Sequence, residues 1–223
     1  PAPRSRAVTR QFGPLIWAFN LLPSAWCHAG WLPSGIDDTT LRDRRATDNP
    51  CHRYLSPWLL QTRSLAGDFE FTFADRLTRT VLVDEAALAR LATLLGVLLR
   101  RELLRRVIDG AALASIRSAV GMKEIGFVAS SVESFRLDVP GGMTGVPTGD
   151  VGAQLQRDGV LLLMHLLGTS PRAVIGRIQL RFAPAVEVCA PRFCCADDAA
   201  RAKAWIVDQL VPRMLPSWTP LFC

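Results

Sequence analysis

The clearest pattern in the chain lies between Asp84 and Ile108, where Leu88, Leu91, Leu95 and Leu98 recur every three or four residues. That spacing puts them on one helical face, with Asp84 and Glu85 at the positive end of the helix dipole and Arg105 and Arg106 near the negative end. Gly110 follows where a C-terminal cap belongs, and Ala111 to Val120 reads as a second, short helix stopped by Gly121. Leu155, Leu162, Leu163 and Leu166 predict another from about Gln154 to Leu167, ended by Gly168. Ser170-Pro171 is a start signal, serine as cap and proline at the first helical position, after which Val174, Ile175, Ile178 and Phe182 share a face. The alternation of Ile178, Leu180 and Phe182 also permits a strand, but the cap favours helix. A last amphipathic helix opens at Asp197 or Asp198 and runs through Trp205, Ile206, Leu210 and Val211 until Pro212 kinks or ends it.

The N-terminal third is less regular. Phe12, Trp17, Phe19, Trp26 and Trp31 are broken by Pro14 and Pro23, which predicts short helical turns rather than one long element. Four acids (Asp37, Asp38, Asp43, Asp48) and four arginines (Arg42, Arg44, Arg45, Arg53) then form a neutral, solvated connection. Pro57 to Leu60 suits the start of a brief helix, and Phe69, Phe71 and Phe73 alternate with the period of a short strand that has no obvious partner. Two prolines and five glycines between Pro140 and Gly152 mark a flexible Gly/Pro-rich loop at 140–152. The expected fold is mainly α: a single compact helical domain over 1–223, irregular rather than a bundle, with at most a minor short strand pair.

Composition narrows the class. With 223 residues, 49% apolar and 21% charged, the chain has the balance of a globular protein and buries roughly 70% of its unfolded surface, so disorder, a rod and a disulfide knot are excluded. The formal charge of +6 is nearly all arginine, since lysine occurs only at Lys123 and Lys203. That modest excess suits acidic proteins, anionic lipid or nucleic acid without choosing among them. Six irregularly spaced cysteines read as reduced thiols of a cytosolic protein. Cys27-His28 and Cys51-His52 each offer a thiolate beside an imidazole, but adjacent ligands seldom converge on zinc and no C-x-x-C or H-x-x-x-H stands behind them, so no metal is expected. The uncharged stretch from Gln11 to Ile36, after Arg4, Arg6 and Arg10, copies a signal peptide or membrane span, yet Pro14, Asn20, Pro23 and Pro33 exclude both.

Candidate chemistry is sparse. Histidine occurs only at His28, His52 and His165, and His165, among leucines, reads as a buried and satisfied side chain rather than a general base. No phosphate-binding glycine loop and no nucleophile elbow is present, so neither enzyme nor cofactor is expected. Arg100, Arg101, Arg105 and Arg106 form a basic patch at the end of the long helix. It fits an acidic protein, nucleic acid, or no more than dipole complement and solubility, and no recognised nucleic-acid motif accompanies it.

Read together, these segments resemble the K-subunit family of type III secretion systems, the YscK/SctK-like proteins of the cytosolic sorting platform. Phe12-Gly-Pro14 followed by Leu21-Leu22-Pro23-Ser24-Ala25-Trp26 looks like the family's F-x-P…L-P-S-x-W signature. Leu88 to Arg106 looks like its leucine helix ending in paired arginine, and Gly159 to Pro184 like its second leucine helix with a basic-apolar continuation. Val211-Pro212 and Pro220-Leu221-Phe222 look like its C-terminal end. The resemblance implies a non-enzymatic adaptor, without cofactor, metal or nucleic acid. It would link the cytoplasmic domain of the inner-membrane ring protein to the pod-forming C-ring-like subunit. Such a protein would be cytoplasmic and peripheral at the cytosolic face of the inner membrane, near the membrane but not spanning it. An adaptor needs a few aromatic anchors and complementary charge. Phe19, Leu22 and Trp26 suit the first role, and Arg101 and Arg105, four apart on one helical face, suit the second. The alternative is a basic helical nucleic-acid-binding accessory protein, whose binding would fall steeply with salt.

Overall fold

A computed structural model of the chain describes residues 3–36, 48–101, 110–130, 137–138, 150–184, 192–193 and 195–223. The helices are α1 (Pro3–Leu21), α2 (Pro23–Trp26), α3 (His52–Thr62), α4 (Glu85–Leu99), α5 (Gly110–Val120), α6 (Met122–Ser130), α7 (Val151–Leu166), α8 (Arg172–Gln179), α9 (Ala196–Trp205), α10 (Val211–Met214) and α11 (Thr219–Phe222). Tighter 3₁₀ turns occupy Ala29–Trp31, Arg76–Leu82 and Pro216–Trp218. A two-residue strand β1 (Leu137–Asp138) pairs antiparallel with β2 (Arg192–Phe193), Leu137 opposite Phe193 and Asp138 opposite Arg192. The fold is mainly α, with strand structure confined among the described residues to that pair.

The chain divides into two compact units, Pro1–Glu85 with Thr169–Ala185 and Leu221–Cys223, and Ala86–Gly168 with Val186–Pro220. In the first, α1 is two helical stretches that meet at a break, each longer than the short turns the prolines suggest. It is kinked at Phe12 (φ −108°, ψ 15°), so that Pro14 falls in the first turn after the kink, where its missing N–H costs nothing. Ile16, Phe19, Leu59, Leu65, Phe73, Leu77, Val174, Ile178 and Phe222 are buried here. The alternating phenylalanines form no strand. Asn20 takes both main-chain groups of Glu70, and the Glu70 carboxylate accepts the N–H of Thr72 (2.7 Å) and of Phe73 (2.9 Å), which removes the donors a ladder needs. Phe73 itself lies at φ +44°. At the other end of this unit Arg76 and Arg79 donate to the carbonyls of Phe222, Leu221 and Cys223 and so hold the last turn in place.

In the second unit α4 carries the leucine stripe, and Leu88, Leu91, Leu95 and Leu98 are each at most 2% exposed. Leu94, Gly96, Val97 and Leu99 are buried as well, so the second half of α4 is enclosed on all sides, while Glu85, Ala86 and Arg90 leave the first half open to solvent on one face. It meets α7 through two glycines: a Cβ on Gly96 would enter the carbonyl of Leu155, and one on Gly159 the carbonyl of Ala92. That backbone-to-backbone approach sits beside a buried ion pair, Arg100 Nε to Asp158 Oδ2 at 2.5 Å.

Several boundaries shift. Gly110 opens α5, and Gly121 (φ +98°) ends it as expected, its N–H reaching the Arg117 carbonyl. Asp150 caps α7 by accepting from Ala153 N, so Val151 and Gly152 are helical; 140–149 lie outside the described residues. Pro171, not Ser170, takes the cap position of α8, and 178–182 forms no strand. Past α9, Ile206–Leu210 widens into a π turn in which Val211 N–H reaches back to the Ile206 carbonyl. Pro212 has no N–H to donate and its ring would crowd the carbonyl of Asp208, so the wider turn lets the helix pass through it.

Candidate partner-binding surface

Leu21 ends α1, Leu22 breaks the helix (φ −122°, ψ 52°), and Pro23 starts α2. Ser24 is fully buried and ties this corner to α3. Its hydroxyl shares hydrogen bonds with His52 Nδ1 and Ser56 Oγ, both at 2.7 Å, and its N–H donates to Ser56 Oγ. Cys51 Sγ lies 3.9 Å from His52 Nδ1. His52 is therefore an internal strut of the corner, while His28 Nδ1 caps the following 3₁₀ turn by accepting Gly30 N–H. No group of three His, Cys, Asp or Glu able to hold a metal occurs among the described residues. His165 is half-buried in the last turn of α7, not sealed in the core as its leucine neighbours suggest.

The five residues expected at an interface take different places. Phe19 is 3% exposed, stacked on Trp26 at 5.6 Å and edge-on to Phe73 at 5.5 Å. Trp26 is half-buried and donates Nε1 to the Ala18 carbonyl. Leu22 is half-buried at the mouth of a cleft of about 450 Å³, lined also by Leu21, Pro50, His52, Arg53 and Pro57. Arg101 is 8% exposed and Arg100 is paired with Asp158, so neither belongs to a solvated basic patch. Arg105 and Arg106 lie outside the described residues.

The exposed aromatics are others. Tyr54 is 78% exposed, Trp17 63%, Trp58 38%, and Phe69 and Phe71 are open with rings 6.0 Å apart. Tyr54 and Trp58 share a face of α3, each next to a residue lining the cleft, and Trp17 lies one turn before Leu21. The sequence singled out none of Trp17, Tyr54 and Trp58 as surface residues: Trp17 is open because Ile16, Phe19 and Asn20 take the buried face of α1, and Tyr54 and Trp58 were hidden because α3 starts five residues before Pro57.

Three guanidinium groups of this unit are held mainly by carbonyl oxygens. Arg177 is fully buried, donating to Asn20 O and Ala173 O, with its charge 5.8 Å from the rings of both Phe19 and Phe69. Burial pulls its pKa down and Asp68 opposes this. Arg181 donates to Val81 O and Val83 O, and burial brings it down to about 10 against Glu85 and Asp84. Arg79 is lowered by burial and by Arg76, with Asp75 opposing.

A cleft and several open aromatic side chains on a mainly helical scaffold do not by themselves name a role. The comparison that decides is with family models: residues 15–214 match that of YOP proteins translocation protein K, YscK. The chain belongs to the YscK family. No curated protein and no solved structure matches it. YscK-family membership places the chain's role in type III secretion, in a family of structural and accessory proteins of the machinery. Within the YscK match lie the L-P-S-x-W corner, the α4–α7 crossing and the π turn at Pro212. No helix among the described residues is long and apolar enough to cross a membrane.

Proposed function

We propose that this YscK-family chain is a non-enzymatic adaptor of the cytosolic sorting platform. It links the cytoplasmic domain of the inner-membrane ring protein to the pod-forming C-ring-like subunit, at the cytosolic face of the inner membrane. The family match across residues 15–214 carries the reading. The open aromatic side chains of the first unit support it, because a chain that works by holding partners keeps such side chains at its surface. Leu22 and Trp26, half-buried at the corner, remain contact candidates; Phe19 and Arg101 act from inside, by fixing the shape of the surface; and Arg105 keeps its place as a charged contact. Isolation of the tagged chain from the source bacterium tests this. Ring protein and pod subunit together among the captured proteins are the expected result, and the absence of both would refute the adaptor role.

A further inference from the structure

We propose that the turn at 68–73 docks a basic segment of a partner protein, one that brings an arginine or lysine to the Glu70 carboxylate and the open rings of Phe69 and Phe71. This rests on the adaptor reading and names a surface that serves it. The aromatic side chains come first. Phe69 and Phe71 stand open on either side of Glu70 in the chain, their rings 6.0 Å apart, and Trp17 is open on α1 three residues before Asn20, whose amide clasps both main-chain groups of Glu70. The turn is held in shape before any partner arrives. Asn20 is fully buried, its carbonyl accepts from Arg177 at 3.1 Å, and the Glu70 side chain accepts the Thr72 N–H, the Thr72 hydroxyl and the Phe73 N–H. Little freedom is therefore lost on binding. All three of those bonds end on Oε1, and among the described residues nothing donates to Oε2. Burial opposes the charge on Glu70, the hydrogen bonds outweigh it, and no cation takes part. Residues 66–75 contain Asp68, Glu70 and Asp75 but no Lys or Arg. From α8, Arg172 reaches Asp68 only at 3.7 Å, with both side chains open, while Arg177 is sealed inside. The carboxylates Asp68 and Glu70 thus face one loosely held guanidinium. An ionised oxygen without a donor, between open aromatic residues, is complementary to a guanidinium or ammonium group, which pairs with the carboxylate and lies on a ring face.

The test uses the full chain, with the ring protein's cytoplasmic domain and the pod subunit as separate titrants at low and at high salt. Glu70→Gln keeps an oxygen for the three bonds that shape the turn and removes the charge, and Phe71→Ser removes an open ring. Far-UV circular dichroism and urea midpoints at neutral pH check the fold. Both variants are expected to weaken binding to the same one of the two proteins at least tenfold, about 1.4 kcal/mol, and to leave the other within twofold. The loss from Glu70→Gln should shrink at high salt, which screens a charge pair. If Phe71→Ser loses its fold, Glu70→Gln alone decides. Wild-type chain that binds neither protein would overturn the adaptor reading itself. Wild-type chain that binds, with both variants within twofold of it, would overturn the docking turn and leave the adaptor standing. Tighter binding by Glu70→Gln, a loss that salt leaves unchanged, or a loss from Phe71→Ser alone would overturn the basic occupant.

Discussion

Glu70 shows how one side chain replaces an element. Burial alone would raise its pKa, but the Thr72 hydroxyl and the N–H groups of Phe73 and Thr72 outweigh that and hold it below its ordinary 4.5. A carboxylate with a depressed folded pKa contributes stability that is complete above the unfolded value and is lost as the pH falls through the folded one. The urea midpoint of the wild-type chain should therefore drop more steeply below about pH 4.5 than that of Glu70→Gln, and parallel pH profiles would contradict the assignment. The same residue marks a limit of reading sequence. Alternation at Phe69, Phe71 and Phe73 gives the right period for a strand, but whether a strand forms depends on free main-chain donors, and here Asn20, fifty positions away, and Glu70 itself have taken them. Arg100 makes the same point about charge. Its neighbours suggest a solvated cluster, and only the fold brings Asp158 to it.

Among elements, the crossing of α4 and α7 organises the second unit. The leucine stripe of α4 was legible because 3.6-residue periodicity survives whatever surrounds the helix. The full enclosure of its second half was not, because Gly96 and Gly159 look like neutral interruptions until the two backbones meet at them. Gly159→Ala forces these backbones apart and should cost about 1–3 kcal/mol, whereas Gly126→Ala in α6, where a Cβ meets nothing within 4 Å, should be neutral or stabilise by up to about 1 kcal/mol. Equal urea midpoints for the two variants would show that the crossing is looser than described. Of the expected caps and stops, Gly121 held because its positive φ ends a helix by its own geometry, whereas Gly110 opens a helix and Ser170 gives the cap position to Pro171. The start of α7 was missed by three residues because Asp150 sits inside a glycine-rich run that hides its capping role.

For the whole molecule, neither compact unit is a continuous stretch of chain: the first takes in Thr169–Ala185 and Leu221–Cys223, and the second resumes at Val186. We propose that such interleaving makes them fold as the single domain expected from the sequence. Tryptophan fluorescence and far-UV circular dichroism should then report one coincident urea transition. Two separated transitions would show independent domains. The family was legible from the order of motifs along the chain. Which aromatics lie open was not, because Phe19 and Trp26 stack on each other, with Phe19 also edge-on to Phe73, and Tyr54, Trp17 and Trp58 are left outside. The proposed adaptor role makes one demand above all, that the chain hold both partners at once. The direct measurement is the mass, by light scattering after size exclusion, of an equimolar mixture of this chain, the ring protein's cytoplasmic domain and the pod subunit. The account predicts one species containing all three, which is absent when the chain is left out. Two separate binary complexes in place of that species, or an identical profile with and without the chain, would contradict it.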